Sequence, residues 1–467
     1  MIGKHAALTA LALLAASAPV HADVVISTAA TQNMSCSGGV CAPTATAAVL
    51  NVTDLENLLA SGSLEVTTTG SGIQANNISA AVRLDVSTGN TLALDAYQSI
   101  TFNRPVVVKG TSGLSLITND GGSGGLLSFM PGKGHAALDL SSNLSINGAI
   151  YQLEDSLPAL AAAMNANRGG AFALASSYDA SQDGTYDSPP LTFEFTGTLE
   201  GLGNTISNLT IDGGQGGAGL FSEIQSGVLV ENLGLTNIAM TGGSAGAFTV
   251  YNSGGTLAHD WATGSVSGGV VGGLAVTGAT IEDCFSSVSV VGVADGGVAG
   301  GLVGYEAGAI DSSYSTGTVS AVGARGRTHL GEAGGLVGQL DSGTISNSYA
   351  TGAVSGGQYV IAGGFAGRTF DNISSSYSSG AVSGGQRRRT GGFAGVVLSG
   401  TFADAYWDTT TSGTKSGVGS GNATGITGLT TSQLQSGLPT GFDPAIWAED
   451  ANINNGLPYL IANPPPK

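Results

Sequence analysis

The stretch 300–320, GGLVGYEAGAIDSSYSTGTVS, decides the fold because it does not stand alone. Near copies follow at 334–357, GGLVGQLDSGTISNSYATGAVSGG, and at 363–385, GGFAGRTFDNISSSYSSGAVSGG. Working outward, the second glycine of the same corner recurs at Gly219, Gly246, Gly273, Gly301, Gly335, Gly364 and Gly392, at intervals of 27, 27, 28, 34, 29 and 28 residues. A fixed period in that range is the mark of a stacked repeat. Between corners lies a second string, starting at Ile281, Ile310, Ile345 and Ile373, with weaker copies at Val230, Leu257 and Phe402. Each copy reads as short strands of alternating polarity ended by Ser-Gly or Thr-Gly turns.

One such unit is too small to bury its own apolar face. Stacking successive units solves this, with strands ~4.8 Å apart and like residues above like residues. The predicted fold class is therefore all-β, a β-solenoid, with the extra length of the 34-residue interval placed in a loop around Ala324 to Glu332. The predicted organisation is a leader at 1–22, a β-rich region at 23–150, a capping helix and entry strands at 151–205, the repeat solenoid at 206–408, and a C-terminal cap and tail at 409–467.

The leader reading rests on Lys4, the apolar run Ala6 to Ala18 and the small-residue site Val20-His21-Ala22. It predicts a secreted or cell-surface protein, associated with the outer membrane. The apolar run is short of the ~20 residues that span a bilayer. Ser156 to Asn165, with Pro158 in the first turn and Gly169-Gly170 beyond, predicts a short helix that either caps the stack or connects two parts of it. Asp54 to Leu59 suggests a second such cap, and Phe442, Trp447, Leu457 and Tyr459 a small terminal apolar cluster.

Composition narrows function. The formal charge is −18, and removing Lys4 with the leader makes it one unit more negative, which disfavours nucleic acid as partner. Cys36 and Cys41 enclose only four residues and suit a disulfide loop in an exported protein, with two free thiols as the alternative. Cys284 stands in the column of Ser313, Ser348, Ser376 and Ala405, and reads as a small buried residue.

Trp261, Phe285, Tyr314, Tyr349, Tyr377 and Tyr406 occupy the fifth position of their strings. The first and fifth positions of a strand share a face, so these rings are expected inside the solenoid with the leading Ile residues. A carbohydrate-stacking platform is the alternative. Asp260, Asp283 and Asp311 form a candidate carboxylate column for glycoside chemistry, although Asn347 and Ser375 follow in the next copies. Asp212-Gly213-Gly214 and Asp295-Gly296-Gly297 lack the recurrence that calcium repeats need, so no metal or other cofactor is assigned. Arg325, Arg327, Arg387, Arg388 and Arg389 fall in two loops that register places on one edge, with Tyr359 on the coil between and Arg368 nearby. Guanidinium forks and a stacking ring could hold an anionic glycan; a charged edge that blocks sideways strand pairing is the simpler reading.

The three strings quoted above closely resemble the GLUG repeat of bacterial surface proteins. The flanks GLGNTISNLTI from Gly201 and AYWDTTTSG from Ala405 resemble its setting in filamentous-haemagglutinin-like exported proteins. The resemblance implies a right-handed parallel β-helix, an adhesin-like role in cell-surface or biofilm interactions, glycans or surface proteins as partners, and a separate outer-membrane export partner. Some proteins with this repeat are zinc proteases that need His-Glu-x-x-His. His5, His21, His135, His259 and His329 are never followed by Glu, so that activity is not carried over. A non-enzymatic adhesin is the expectation, with a polysaccharide lyase or glycoside hydrolase as the alternative.

Overall fold

The computed structural model describes residues 23–191, 194–323, 330–384 and 389–466. It is a β-solenoid of about 14 turns with a few short helices, as the repeat predicts. Among the described residues no helix is long and apolar enough to cross a membrane. The leader lies outside them.

The N-terminal coils are built on two apolar ladders. Leu64, Leu92, Leu114 and Leu144 stand in register, and Val66, Leu94, Leu116 and Ile146 form the row beside them. All are buried, and each contributes about 1.5–3 kcal/mol. The intervening residues point outward, where Ser145 Oγ donates to Ser115 Oγ at 3.0 Å. Helix α1, Val52–Ser61, covers the start of the stack, with Asn51 as its N-cap and Leu55 and Leu59 in the core. Cys36 and Cys41, opposite each other in the hairpin Met34–Ser37 and Val40–Pro43, form a disulfide.

A hairpin at Asn147-Gly148, both with positive φ, then reverses the chain between Asn143–Ile146 and Ala149–Glu154. The next strand, Ala171–Leu174, pairs parallel with Ala149–Glu154. Tyr151, Leu153 and Ala173 face the first core, whereas Phe172 and Leu174 face a second. Strand direction and buried face invert together, so the coil keeps its hand across the junction. Helix α2, Leu157–Ala166, lies here, with Leu157, Leu160 and Met164 in the second core. These side chains close the start of the second core, while the strand pairing itself continues from the first stack into the second.

The second stack runs on one ladder: Phe172, Leu199, Val230, Leu257, Ile281, Ile310, Ile345, Ile373 and Phe402. Its coils begin before residue 206 and continue past 408, because Val418–Ser420 and Ile426–Leu429 add a further layer. Trp407 fills the end of the interior, in register above Ser378.

The aromatic column is buried but not inside the solenoid. Two residues before each ring the chain takes a left-handed conformation, at His259, Asp283, Ser312, Asn347, Ser375 and Asp404. That corner breaks the parity of a straight strand. The residue after it points inward instead: Cys284 and Ala405 lie in the solenoid core, and Ser313, Ser348 and Ser376 are fully buried. The rings therefore project outward, stacked at 6.2, 5.0, 4.6 and 5.2 Å from Trp261 to Tyr377. The C-terminal segment covers them with Leu434, Phe442, Trp447, Leu457 and Leu460. This placement corrects the interior expectation and removes the ladder as an open stacking platform.

Candidate functional site

The glycine corner creates a lateral face with two facing rows of side chains. The strand leaving each corner presents one outward residue per coil. Glu223 pairs in register with Tyr251, and the row continues through Thr277, whose Oγ1 accepts from Asn252 N, to Tyr305, Gln339, Arg368, Val396 and Ser420. The strand entering the corner presents Gly217, Ser244, Val270, Val298, Glu332 and Ile361.

Between the rows the floor is glycine in the later coils, at Gly304, Gly338, Gly367 and Gly395. A Cβ on Gly338 would lie 2.5 Å from Val298 Cγ1, and one on Gly395 2.5 Å from Ile361 Cγ2. The last glycine of Gly-Gly-Leu-Val-Gly is thus required by a backbone carbonyl of the coil beneath, which a Cβ would meet at 2.5–2.8 Å in all four, and at Gly338 and Gly395 by an apolar side chain as well. In the first two coils Ser222 and Val250 occupy the floor position, and there the face opens into a cavity of 370 Å³ beside Tyr251 and Pro189.

Further along, Glu332 and Arg368 meet across the face at 2.7 Å. Burial pushes the Glu332 carboxyl up to about 7, with Arg368 opposing and Asp341 adding to the rise. Arg368 is therefore an ion-pair partner within the fold. Tyr359 is half-buried with positive φ, and the Arg389 carbonyl accepts from Ala362 N at 2.9 Å. Arg325, Arg327, Arg387 and Arg388 lie outside the described residues.

The three aspartates of the expected carboxylate column belong to three different columns. Asp311 pairs in register with Glu282, and its Oδ1 accepts from Ser346 Oγ at 2.5 Å and Asn347 Nδ2 at 2.9 Å. Asp283 is a left-handed corner residue, in line with His259 and Ser312. Asp260 points inward, where Oδ1 accepts from Leu233 N at 2.9 Å. Burial holds Asp260 well above the usual carboxylate range and pushes Asp283 up to about 7, the latter aided by Asp311. His259 lies 4.0 Å from Asp283 and is lowered to about 4 by burial. This cluster supports corners and does not converge on a shared opening.

Cys284 continues a buried hydrogen-bond ladder. Its N–H donates to Ser313 Oγ at 3.0 Å, Ser313 N to Ser348 Oγ at 3.3 Å, and Ser348 N to Ser376 Oγ at 3.2 Å. Ser313 Oγ in turn donates to the Asp311 carbonyl at 2.8 Å. Sequence reasoning found this column but missed Tyr251, Ser222 and Glu223. Their signal was a break in the repeat: Phe248-Thr249-Val250-Tyr251 stands where later coils read Leu-Val-Gly-Tyr or Leu-Val-Gly-Gln.

Residues 330–355 match the family model described as the GLUG motif. The chain carries a GLUG motif. It is also 35% identical over 138 residues to halomucin of Haloquadratum walsbyi, a match that covers 29% of this chain and 1% of halomucin. Among solved structures, a Bacteroides ovatus chain named as a candidate immunoglobulin A1 protease aligns at a TM-score of 0.38 with 19% identity, covering 62% of this chain and 85% of that one. A second, named IgA1 Protease, aligns at 0.38 with 20% identity, covering 57% of this chain and 23% of its own.

Proposed function

We infer that this protein is an exported bacterial surface or secreted β-solenoid that binds glycans through its lateral face without catalysis, as a filamentous-haemagglutinin-like adhesin would. The observation that carries the reading is the row from Glu223 to Ser420, one outward side chain per coil, in which Tyr251 is 56% exposed. A ring held in place by the backbone ladder and left open to solvent is a stacking surface with little ordering cost. The GLUG motif, the partial likeness to halomucin and the leader-like N-terminus support display outside the cell.

A polysaccharide-active enzyme is the second reading, favoured by Glu332, which sits near neutrality across from Arg368. Against it, the Glu332 side chain is 5% exposed and already engaged by that guanidinium. A glycan array probed with the full chain, followed by a reducing-end assay on each bound glycan, tests both readings. Binding without new reducing ends or unsaturated products is expected. Product release would replace the adhesin reading with the enzyme, and an empty array would end it.

A further inference from the structure

The cavity beside the first two glycine corners differs from the rest of the lateral face. Its 370 Å³ lies within the ~300–1,000 Å³ of small-ligand sites. Tyr251 forms one side, with Val250 at its base and Pro189 at the rim. Ser222 Oγ lies in the floor, shielded from solvent and with no hydrogen-bond partner among the described residues. A buried hydroxyl left unpaired is costly, and a ligand hydroxyl reaching the floor would relieve it.

The polar groups also select by charge. Glu223 is fixed at the rim by Ser253 Oγ, which donates to Oε1 at 2.7 Å, and Gln215 and Ser244 complete the lining. Among the described residues neither Lys nor Arg lines the cavity. A carboxylate without a cation beside it accepts hydrogen bonds from sugar hydroxyls and repels carboxylate or sulfate.

We propose that this cavity is a subsite for one uncharged pyranose ring of a glycan. The ring's C–H face stacks on Tyr251, and its hydroxyls reach Glu223, Gln215 and Ser222. The subsite rests on the glycan-binding reading and narrows it to neutral sugars at one place on the face.

The test is saturation-transfer difference NMR on the full chain, with cellotriose, laminaritriose, chitotriose and galactobiose as neutral probes and trigalacturonate as the anionic one. At least one neutral probe binds and trigalacturonate does not. Tyr251→Ala weakens that binding about tenfold or more, whereas Tyr251→Phe holds it within about threefold; both keep the wild-type melting curve, since the ring is exposed. Neutral binding that survives Tyr251→Ala overturns the subsite and leaves the broader reading standing. Trigalacturonate binding that depends on Tyr251 overturns the sugar class. Failure of every probe, together with an empty glycan array, overturns both the subsite and the reading beneath it.

Discussion

Tyr377 Oη donates to the Pro458 carbonyl at 2.7 Å and accepts from Asn454 Nδ2 at the same distance, tying the C-terminal segment to the fifth of the six rings of the aromatic ladder. Further contacts place that segment along the outside of the stack, from Tyr406 Oη on the Thr440 carbonyl to Asn463 Nδ2 on the Asp283 carbonyl. It is a strap, and Trp447 is its anchor, 4.4 Å from Phe442 and about 6 Å from Tyr349 and Tyr377 by ring centroid. Trp447→Ala should cost about 3–5 kcal/mol of strap docking. Limited proteolysis should then cut beyond residue 429 while the coils resist. Equal protection of the variant and the parent would show that the strap is held elsewhere.

The floor glycines make a sharper steric prediction. Gly338→Ala places a methyl 2.5 Å from Val298 Cγ1 and 2.7 Å from the Gly304 carbonyl. The carbonyl is part of the backbone ladder and has little room to yield, so a loss of about 1–3 kcal/mol is expected. Gly62→Ala is the control, because nothing lies within 4 Å of its Cβ position and its φ of 168° is extended backbone. Chemical denaturation of the two variants should separate them clearly.

The buried serine ladder sets the behaviour of the free thiol. Ser313→Ala leaves Cys284 N without its acceptor, at a cost of about 1–3 kcal/mol. Cys284→Ser continues the ladder and should be close to neutral. Burial first, and Asp260 second, raise the Cys284 thiol well above its ordinary value. Iodoacetamide should leave it unmodified in the native protein and alkylate it in guanidinium.

Acidic groups give the stability an unusual slope with pH. Burial pushes Glu306 up to about 8, Asp283 and Glu332 up to about 7, and Asp95 up to about 6. Glu200 and Asp260 rise well above the carboxylate range for the same reason. A raised carboxyl binds its proton more tightly in the fold than in the unfolded chain. Its stabilisation is therefore whole below the unfolded pKa of ~4 and falls away as pH climbs through the folded values. The melting temperature should drop between pH 5 and pH 8. It should still drop in 0.5 M NaCl, which screens surface repulsion and leaves buried groups largely unscreened. Glu306→Gln should flatten the slope, and an unchanged slope would assign it to other groups.

The solenoid was legible because its signal is periodic: Ile281, Ile310, Ile345 and Ile373 stand above one another as their spacing requires. The orientation of the aromatic ladder was not. A single left-handed residue turns every following side chain to the other face; His259, Asp283, Asn347 and Asp404 are types that take positive φ readily, but Ser312 and Ser375 share the column and hide the pattern. The site was harder still. Tyr251 is exposed and Tyr314 is buried, yet both read as tyrosines after a corner; Tyr314 is stacked between Phe285 and Tyr349 in the ladder that the strap, far away in sequence, covers.

The central claim is that ligand meets this protein on the lateral face beside the glycine corners, and hydrogen exchange with and without a bound array glycan tests it most directly. New protection is predicted in 215–223 and 244–253, extending toward Tyr305 and Gln339, with the strap and aromatic ladder unchanged. Protection confined to 431–463, or to the coils of the first stack, would contradict the claim.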